Sequence, residues 1–401
     1  MSLKKNIVPF ILFCFLTQFA AAQFSGNTTY KGEYIYGSVW KHNKHLENLV
    51  NGPVTGAEFA VEWQSVKGWH RHFNYPYLGL AVSWLNLGNR DTLGAAIAVY
   101  PYVNFPIVRY GRFSVNFKSG VGLSYVTKTF NEFRDEVVNG TLKLDNSNAA
   151  IGSHMNVYFA AGFNAEFPVT DHFSFTADYG WNHTSNGMIR VPNSGINMFN
   201  AFLGLKYTPN YSARRNEYLQ YYYAPDIPRD IAVELTVSGG CRQLYYLDDK
   251  TFPIGSLQAD VYKPLTNFYR MGLGADLFYD GVFESGLRYK RTYLASEKFL
   301  NKIRFGVSWQ NELIMGRLTA GIHAGIYLYN PIKNLEPYNE AKAGTLDKGL
   351  IYPYKIDDED GWFYTRLSGK YLLTKHLYAS LGLKTHLQKA EFIEWGMGYR
   401  F

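Results

Sequence analysis

Apolar residues in this chain recur at every second position rather than in blocks. Over residues 113–125, Phe113, Val115, Phe117, Val121, Leu123 and Tyr125 fall on one face of an extended chain, and Ser114, Asn116, Lys118, Gly120, Gly122 and Ser124 on the other. Over 78–84, Leu78, Leu80, Val82 and Trp84 oppose Gly79, Ala81 and Ser83. A period of two is the mark of strands with one apolar and one polar face. Past the first 23 residues, no apolar run reaches the roughly 18 residues that a membrane-spanning helix needs. Large apolar side chains on one face with small or polar ones on the other suit strands whose outer face meets lipid, whereas a soluble barrel would invert the pattern. The 33 Tyr and 37 Gly fit the same picture, with aromatic girdles at the membrane interfaces and small residues in a narrow lumen.

The chain ends agree with export to such a membrane. Lys4 and Lys5 precede an apolar run from Ile7 to Phe19, and Ala20-Ala21-Ala22 supplies small residues for cleavage. Residues 1–22 are therefore expected to be a signal peptide, with a mature chain from Gln23. Phe13 before Cys14 argues against lipidation, and Cys241 is then the one mature cysteine. No disulfide, metal site or cofactor is expected. The chain closes on Trp395-Gly396-Met397-Gly398-Tyr399-Arg400-Phe401, an alternating strand with a terminal aromatic of the kind that outer-membrane assembly machinery reads. The expected place is the outer membrane of a Gram-negative cell. There the net charge of +7 suits an anionic lipopolysaccharide surface, and nucleic acid is not an expected partner.

Alternation predicts eight strands near 28–40, 54–66, 76–88, 94–108, 112–128, 154–168, 172–186 and 196–208. A second eight is predicted near 229–247, 253–264, 268–281, 300–314, 317–330, 361–373, 376–388 and 391–401, with 282–299 ambiguous. The two sets read as a tandem repeat. Gly111-Arg112-Phe113-Ser114 aligns with Gly316-Arg317-Leu318-Thr319, and Asp171-His172-Phe173-Ser174 with Lys375-His376-Leu377-Tyr378. Residues 209–228, with Pro209, Pro225 and Pro228, read as a linker between repeats 23–208 and 229–401. The fold class is thus all-β, a transmembrane antiparallel barrel protein. Two eight-stranded barrels and one sixteen-stranded barrel both satisfy the pattern.

One stretch carries chemistry. On the seventh strand, Phe173, Phe175, Ala177, Tyr179 and Trp181 share a parity with His183 and Ser185. On the eighth, Asn197 shares the parity of Phe199, Ala201, Leu203, Leu205 and Tyr207. His183, Ser185 and Asn197 thus point out of the barrel at the end of an apolar wall, where polar groups are costly. A serine hydroxyl becomes a nucleophile when an imidazole takes its proton. The imidazole needs an orienting partner on its other nitrogen, which Asn197 could supply. Asn186 or Asn193, with backbone N–H groups near Gly187, could hold an oxyanion. The plainer reading of the same residues is a polar pair at the interface with no chemistry. Asp178, Glu58 and Glu62 fall on the lumen face. His386, Glu391 and Glu394 of the second repeat lack an accompanying serine, with Leu387 and Lys389 at the places of His183 and Ser185. The run Asp357-Asp358-Glu359-Asp360 reads as a solvated loop.

His183-x-Ser185-Asn186, followed by a short loop with Pro192-Asn193-x-Gly195, resembles the outer-membrane lipid A 3-O-deacylases, mainly over residues 24–208. The resemblance implies an eight-stranded barrel whose lipid-facing Ser–His–Glu triad hydrolyses an ester-linked acyl chain of lipopolysaccharide without a metal. It implies Ser185 as nucleophile and His183 as general base, with lipid A and outer-membrane lipid as partners. The family's Glu falls on Asn197, which can orient an imidazole but cannot stabilise an imidazolium by charge. A catalytically inactive structural or pore-forming barrel and a phospholipase using the same residues are the alternatives.

Overall fold

The computed structural model describes residues 28–41, 44–64, 68–130, 136–138, 141–143, 148–209, 230–243, 250–282, 299–330, 362–386 and 389–401. The expected signal peptide, residues 210–228 of the expected linker, residues 283–298 of the ambiguous stretch and the run Asp357–Asp360 lie outside the described residues.

The first barrel is built from β1 (Thr28–Val39), β2 (Val54–Gln64), β3 (Tyr77–Leu87), β4 (Ala95–Tyr110), β5 (Phe113–Val126), β8 (Met155–Pro168), β9 (Phe173–Ser185) and β10 (Ile196–Tyr207). Each strand pairs antiparallel with its neighbour, and β1 pairs with both β2 and β10, so the sheet closes. The second barrel runs β11 (Ala232–Arg242), β12 (Phe252–Pro264), β13 (Tyr269–Asp280), β14 (Ile303–Met315), β15 (Leu318–Tyr329), β16 (Phe363–Leu372), β17 (Leu377–His386) and β18 (Lys389–Arg400), closed by β11 on β18. The chain therefore forms two closed eight-stranded barrels, not one of sixteen strands. Among the described residues, the small elements not expected from the sequence are a hairpin of β6 (Glu136–Val138) and β7 (Thr141–Lys143), a short helix α1 (Lys44–Leu49), and 3-10 turns over Gly68–Phe73 and Phe299–Lys302. Two compact units result, residues 1–185 with 194–223 and residues 186–193 with 224–401.

Equivalent turns recur in the two barrels. Gly111 between β4 and β5 and Gly316 between β14 and β15 both take a positive φ, which a side chain would strain. Thr170 Oγ1 accepts from the backbone N–H of His172 and Phe173, and Thr374 Oγ1 from those of His376 and Leu377. These are the segments that the sequence aligns with one another.

Within each barrel the expected alternation holds. Along β5, Asn116, Lys118, Gly120, Gly122 and Ser124 are buried, while Val121 and Tyr125 face outward. The lumens are filled by compensated charge. In the first barrel, Glu58 accepts from Ser83, Tyr100 and Lys118, and Lys31 lies 2.7 Å from Glu33 and 3.1 Å from Asp178. Lys206 joins Glu62 and Glu166 at 2.8 and 2.9 Å. In the second, Arg270 and Lys370 each bind both Glu234 and Glu312, and Arg366 spans Asp276 and Glu394 at 2.7 and 2.6 Å. Asp178, Glu58 and Glu62 thus sit in the lumen, as their parity implied.

A buried ion pair tolerates loss of one partner poorly, because the other charge stays behind. Asp276 accepts from Arg366, Tyr364 and Ser308 at once. Asp276→Ala is expected to destabilise the second barrel by about 3–5 kcal/mol. The check is a denaturant titration of the protein in detergent, followed by loss of the compact form on unheated gels.

Candidate active site

β9 and β10 are adjacent strands of the first barrel, and their register sets the site. His183 lies directly opposite Asn197, on the outward parity of both strands. Directly opposed residues of an antiparallel pair have Cβ atoms about 4.5–5.5 Å apart, and residues i and i+2 share a face. The imidazole of His183 is therefore within reach of Ser185 along its own strand and of Asn197 across the ladder. Its Nε2 lies 2.8 Å from Ser185 Oγ, and its Nδ1 lies 2.8 Å from Asn197 Oδ1. The serine hydroxyl, the imidazole and the amide form one hydrogen-bonded line on the outer wall.

Two further residues shape this line. Trp181, two positions before His183, stacks its ring on the imidazole at 5.5 Å and donates its Nε1–H to Asn197 Oδ1 at 3.0 Å. Gly195 enters β10 with φ +71°. A Cβ built there would stand 2.7 Å from His183 Cε1 and 3.3 Å from Ser185 Cβ, so the backbone comes this close to the imidazole only because Gly195 has no side chain. The backbone N–H of Gly195 donates to Ala150 O at 3.0 Å. Asn148 holds that segment by accepting from the N–H groups of Ala150 and Ile151 and donating to Thr92 O and Lys128 O. Sequence reasoning missed Trp181 and Asn148. Gly195 was visible in the Pro-Asn-x-Gly signal, but its steric role was not.

The remaining candidates lie in residues 186–193, which group with the second unit. Within that segment Asn193 Oδ1 accepts from Asn186 N–H at 3.1 Å, and the Asn186 side chain pairs with the backbone of Arg190. Gly187 takes a positive φ of 59°. The second barrel carries no matching line among its described residues. His386 is buried with Nδ1 3.1 Å from Phe363 O, Glu391 pairs with Lys384, and Glu394 with Arg366. Lys389 opens β18 at the place of Ser185, and Leu387 lies outside the described residues.

Two closed barrels with apolar outer walls and charge-filled lumens define an outer-membrane β-barrel protein. Residues 56–206 match the family described as lipid A 3-O-deacylase (PagL), and residues 231–341 and 349–401 match the C-terminal domain of acyloxyacyl hydrolase. The chain belongs to this lipid A 3-O-deacylase family, a family of outer-membrane hydrolases. No curated protein matches it. Among solved structures it is similar to the outer membrane enzyme PagL, at 14% identity over 44% of this chain and 97% of that one, with a TM-score of 0.28. It is also similar to the ferric enterobactin receptor PfeA (8% identity, 94% and 69% covered, TM-score 0.24). An outer membrane channel from Pseudomonas putida F1 shows 11% identity, with 94% and 96% covered and a TM-score of 0.19.

Gly195→Ala is expected to displace the imidazole from Ser185 while leaving the barrel closed. Labelling of Ser185 by a fluorophosphonate probe should fall by at least about tenfold, because small misplacements of reacting groups carry large rate costs. Unchanged labelling would show that the imidazole does not depend on this close approach.

Proposed function

We propose that this protein is a serine esterase of the outer leaflet that removes an ester-linked acyl chain from lipid A. The observation that carries the reading is the line from Ser185 Oγ through His183 to Asn197 Oδ1, both links 2.8 Å, on the lipid-facing wall. An acyl ester held at the membrane surface meets such a wall from the side, without entering a lumen.

On this reading Ser185 Oγ attacks the acyl carbonyl as His183 Nε2 takes its proton, and Nδ1–H keeps donating to Asn197. The negative charge moves to the carbonyl oxygen. That charge calls for backbone N–H or side-chain amide donors near the end of β9. Asn186 is committed to Arg190 and serves to shape the loop. The intermediate collapses, the C–O bond to the sugar breaks, and Nε2–H gives its proton to the leaving alkoxide, which departs as a hydroxyl. Water then attacks the acyl-serine by the same route, releasing a fatty acid. Asn197 orients the imidazole but adds no charge, so turnover is expected to be slower than with a carboxylate.

The filled lumens of both barrels speak against the pore reading. A phospholipase would use the same three residues, so the substrate class is decided by assay. Mass spectrometry of lipid A from cells with the wild type, Ser185→Ala or no copy should show one ester-linked acyl chain lost only with the wild type. Identical lipid A in all three, with the protein folded in the membrane, would overturn the deacylase reading. Parallel phospholipid profiles would show whether glycerophospholipid is cleaved instead. A second expectation concerns the departure from the family pattern. Asn197→Asp, nearly isosteric, should raise kcat by at least about tenfold by compensating the imidazolium, and an unchanged or lower kcat would show that charge at this position is not limiting.

A further inference from the structure

We infer that Trp181 is a positioning residue that locks the Asn197 amide and thereby places the proton on His183. The inference rests on the reading of His183 as the general base. A carboxylate at position 197 would present an acceptor to the imidazole whichever way it turned. An amide would not, since one end accepts and the other donates. If Asn197 turned its NH₂ toward His183, Nδ1 would have to accept, the ring proton would sit on Nε2, and Ser185 would face a donor. In that state there is no base.

The structure holds a group that resolves this ambiguity. The indole Nε1–H of Trp181 is a donor with no acceptor capacity, and it points at Asn197 Oδ1 from 3.0 Å. It therefore fixes which end of the amide is oxygen. That same oxygen, 2.8 Å from His183 Nδ1, can only accept, so the ring proton belongs on Nδ1. The Nε2 lone pair is then directed at Ser185 Oγ, also 2.8 Å away. Trp181 also stacks on the imidazole, the two rings nearly parallel with centroids 5.5 Å apart.

The test uses the full-length protein in detergent micelles containing lipid A, with wild type, Trp181→Phe, Asn197→Asp and the double variant. Phe keeps the stacked ring and deletes the N–H. Trp181→Phe is expected to lower kcat roughly tenfold with KM unchanged, since the imidazole would spend most of its time with the wrong tautomer. In the Asn197→Asp background the same substitution should cost less than about twofold, because a carboxylate has no wrong end. Equal losses in both backgrounds would overturn the inference and leave Trp181 as packing. A second readout needs no turnover: the ¹⁵N ring shifts of His183, assigned by difference with His183→Gln. They should show the Nδ1–H form in wild type and a mixture in Trp181→Phe. An unchanged tautomer would overturn the inference even where the enzyme proves active. A shifted tautomer in a protein that cleaves nothing would uphold it while the esterase reading falls. If Trp181→Phe fails to close its barrel, benzothienylalanine at position 181, which exchanges only the N–H for sulfur, serves in its place.

Discussion

A strand inside a bilayer has no water to satisfy its backbone, so every N–H and C=O must find a partner in the protein. Closure of the sheet meets that demand, and here it is met twice, by β1 against β10 and by β11 against β18. The site inherits its geometry from those ladders. Once β9 and β10 are in register, His183 must face Asn197, and Ser185 must share the face of His183. The line needs no flexible loop to bring its three members together, because the spacings of the sheet already supply them. A one-residue slip of β9 would turn His183 and Ser185 into the lumen and leave Asn197 outside.

Closure at eight strands also dictates what fills the barrels. The interior is just wide enough for side chains, and these barrels place carboxylates against lysines and arginines there. Charges so confined need compensation, and the pairs run across the lumen between distant strands, as Lys31 with Asp178 and Arg366 with Asp276. With the lumen occupied, chemistry on a lipid has only the outer wall available. There a polar line is costly, and its presence at the rim of an otherwise apolar face is what gives it meaning.

How much of this was legible in the sequence follows from which features are local. Alternation is local, so β5 was expected at 112–128 and found at Phe113–Val126, and β12 at 253–264 and found at Phe252–Pro264. Which edges meet is not local. Nothing in β1 or β10 alone says that they pair with each other, and two barrels could not be told from one until closure was seen. The hairpin β6–β7 has three residues per strand, too few for a period to show. In the site, parity alone brought His183, Ser185 and Asn197 to one face. Trp181 shares that parity but reads as one more interfacial aromatic, and its role appears only when its N–H is measured against a side chain on the next strand. Asn148 lies well away in the chain, and its part in holding the entry to β10 has no sequence signal.

The amide at position 197 and the indole beside it are best understood together. A carboxylate there would add a negative charge to the lipid-facing wall and, on the proposed reading, would stabilise the imidazolium formed when Ser185 attacks. The amide adds no charge, so the proton on His183 is held less firmly. For the proposed reaction, that would weaken His183 as a base in the first half. On the same reading it strengthens that imidazolium as an acid in the second half, when the leaving alkoxide of the sugar must be protonated. A site of this kind trades rate of attack for ease of expulsion, and it can do so only if the imidazole never loses its tautomer. With charge absent, the tautomer depends on hydrogen-bond direction alone. A donor-only N–H aimed at the amide oxygen is the least demanding group that sets that direction.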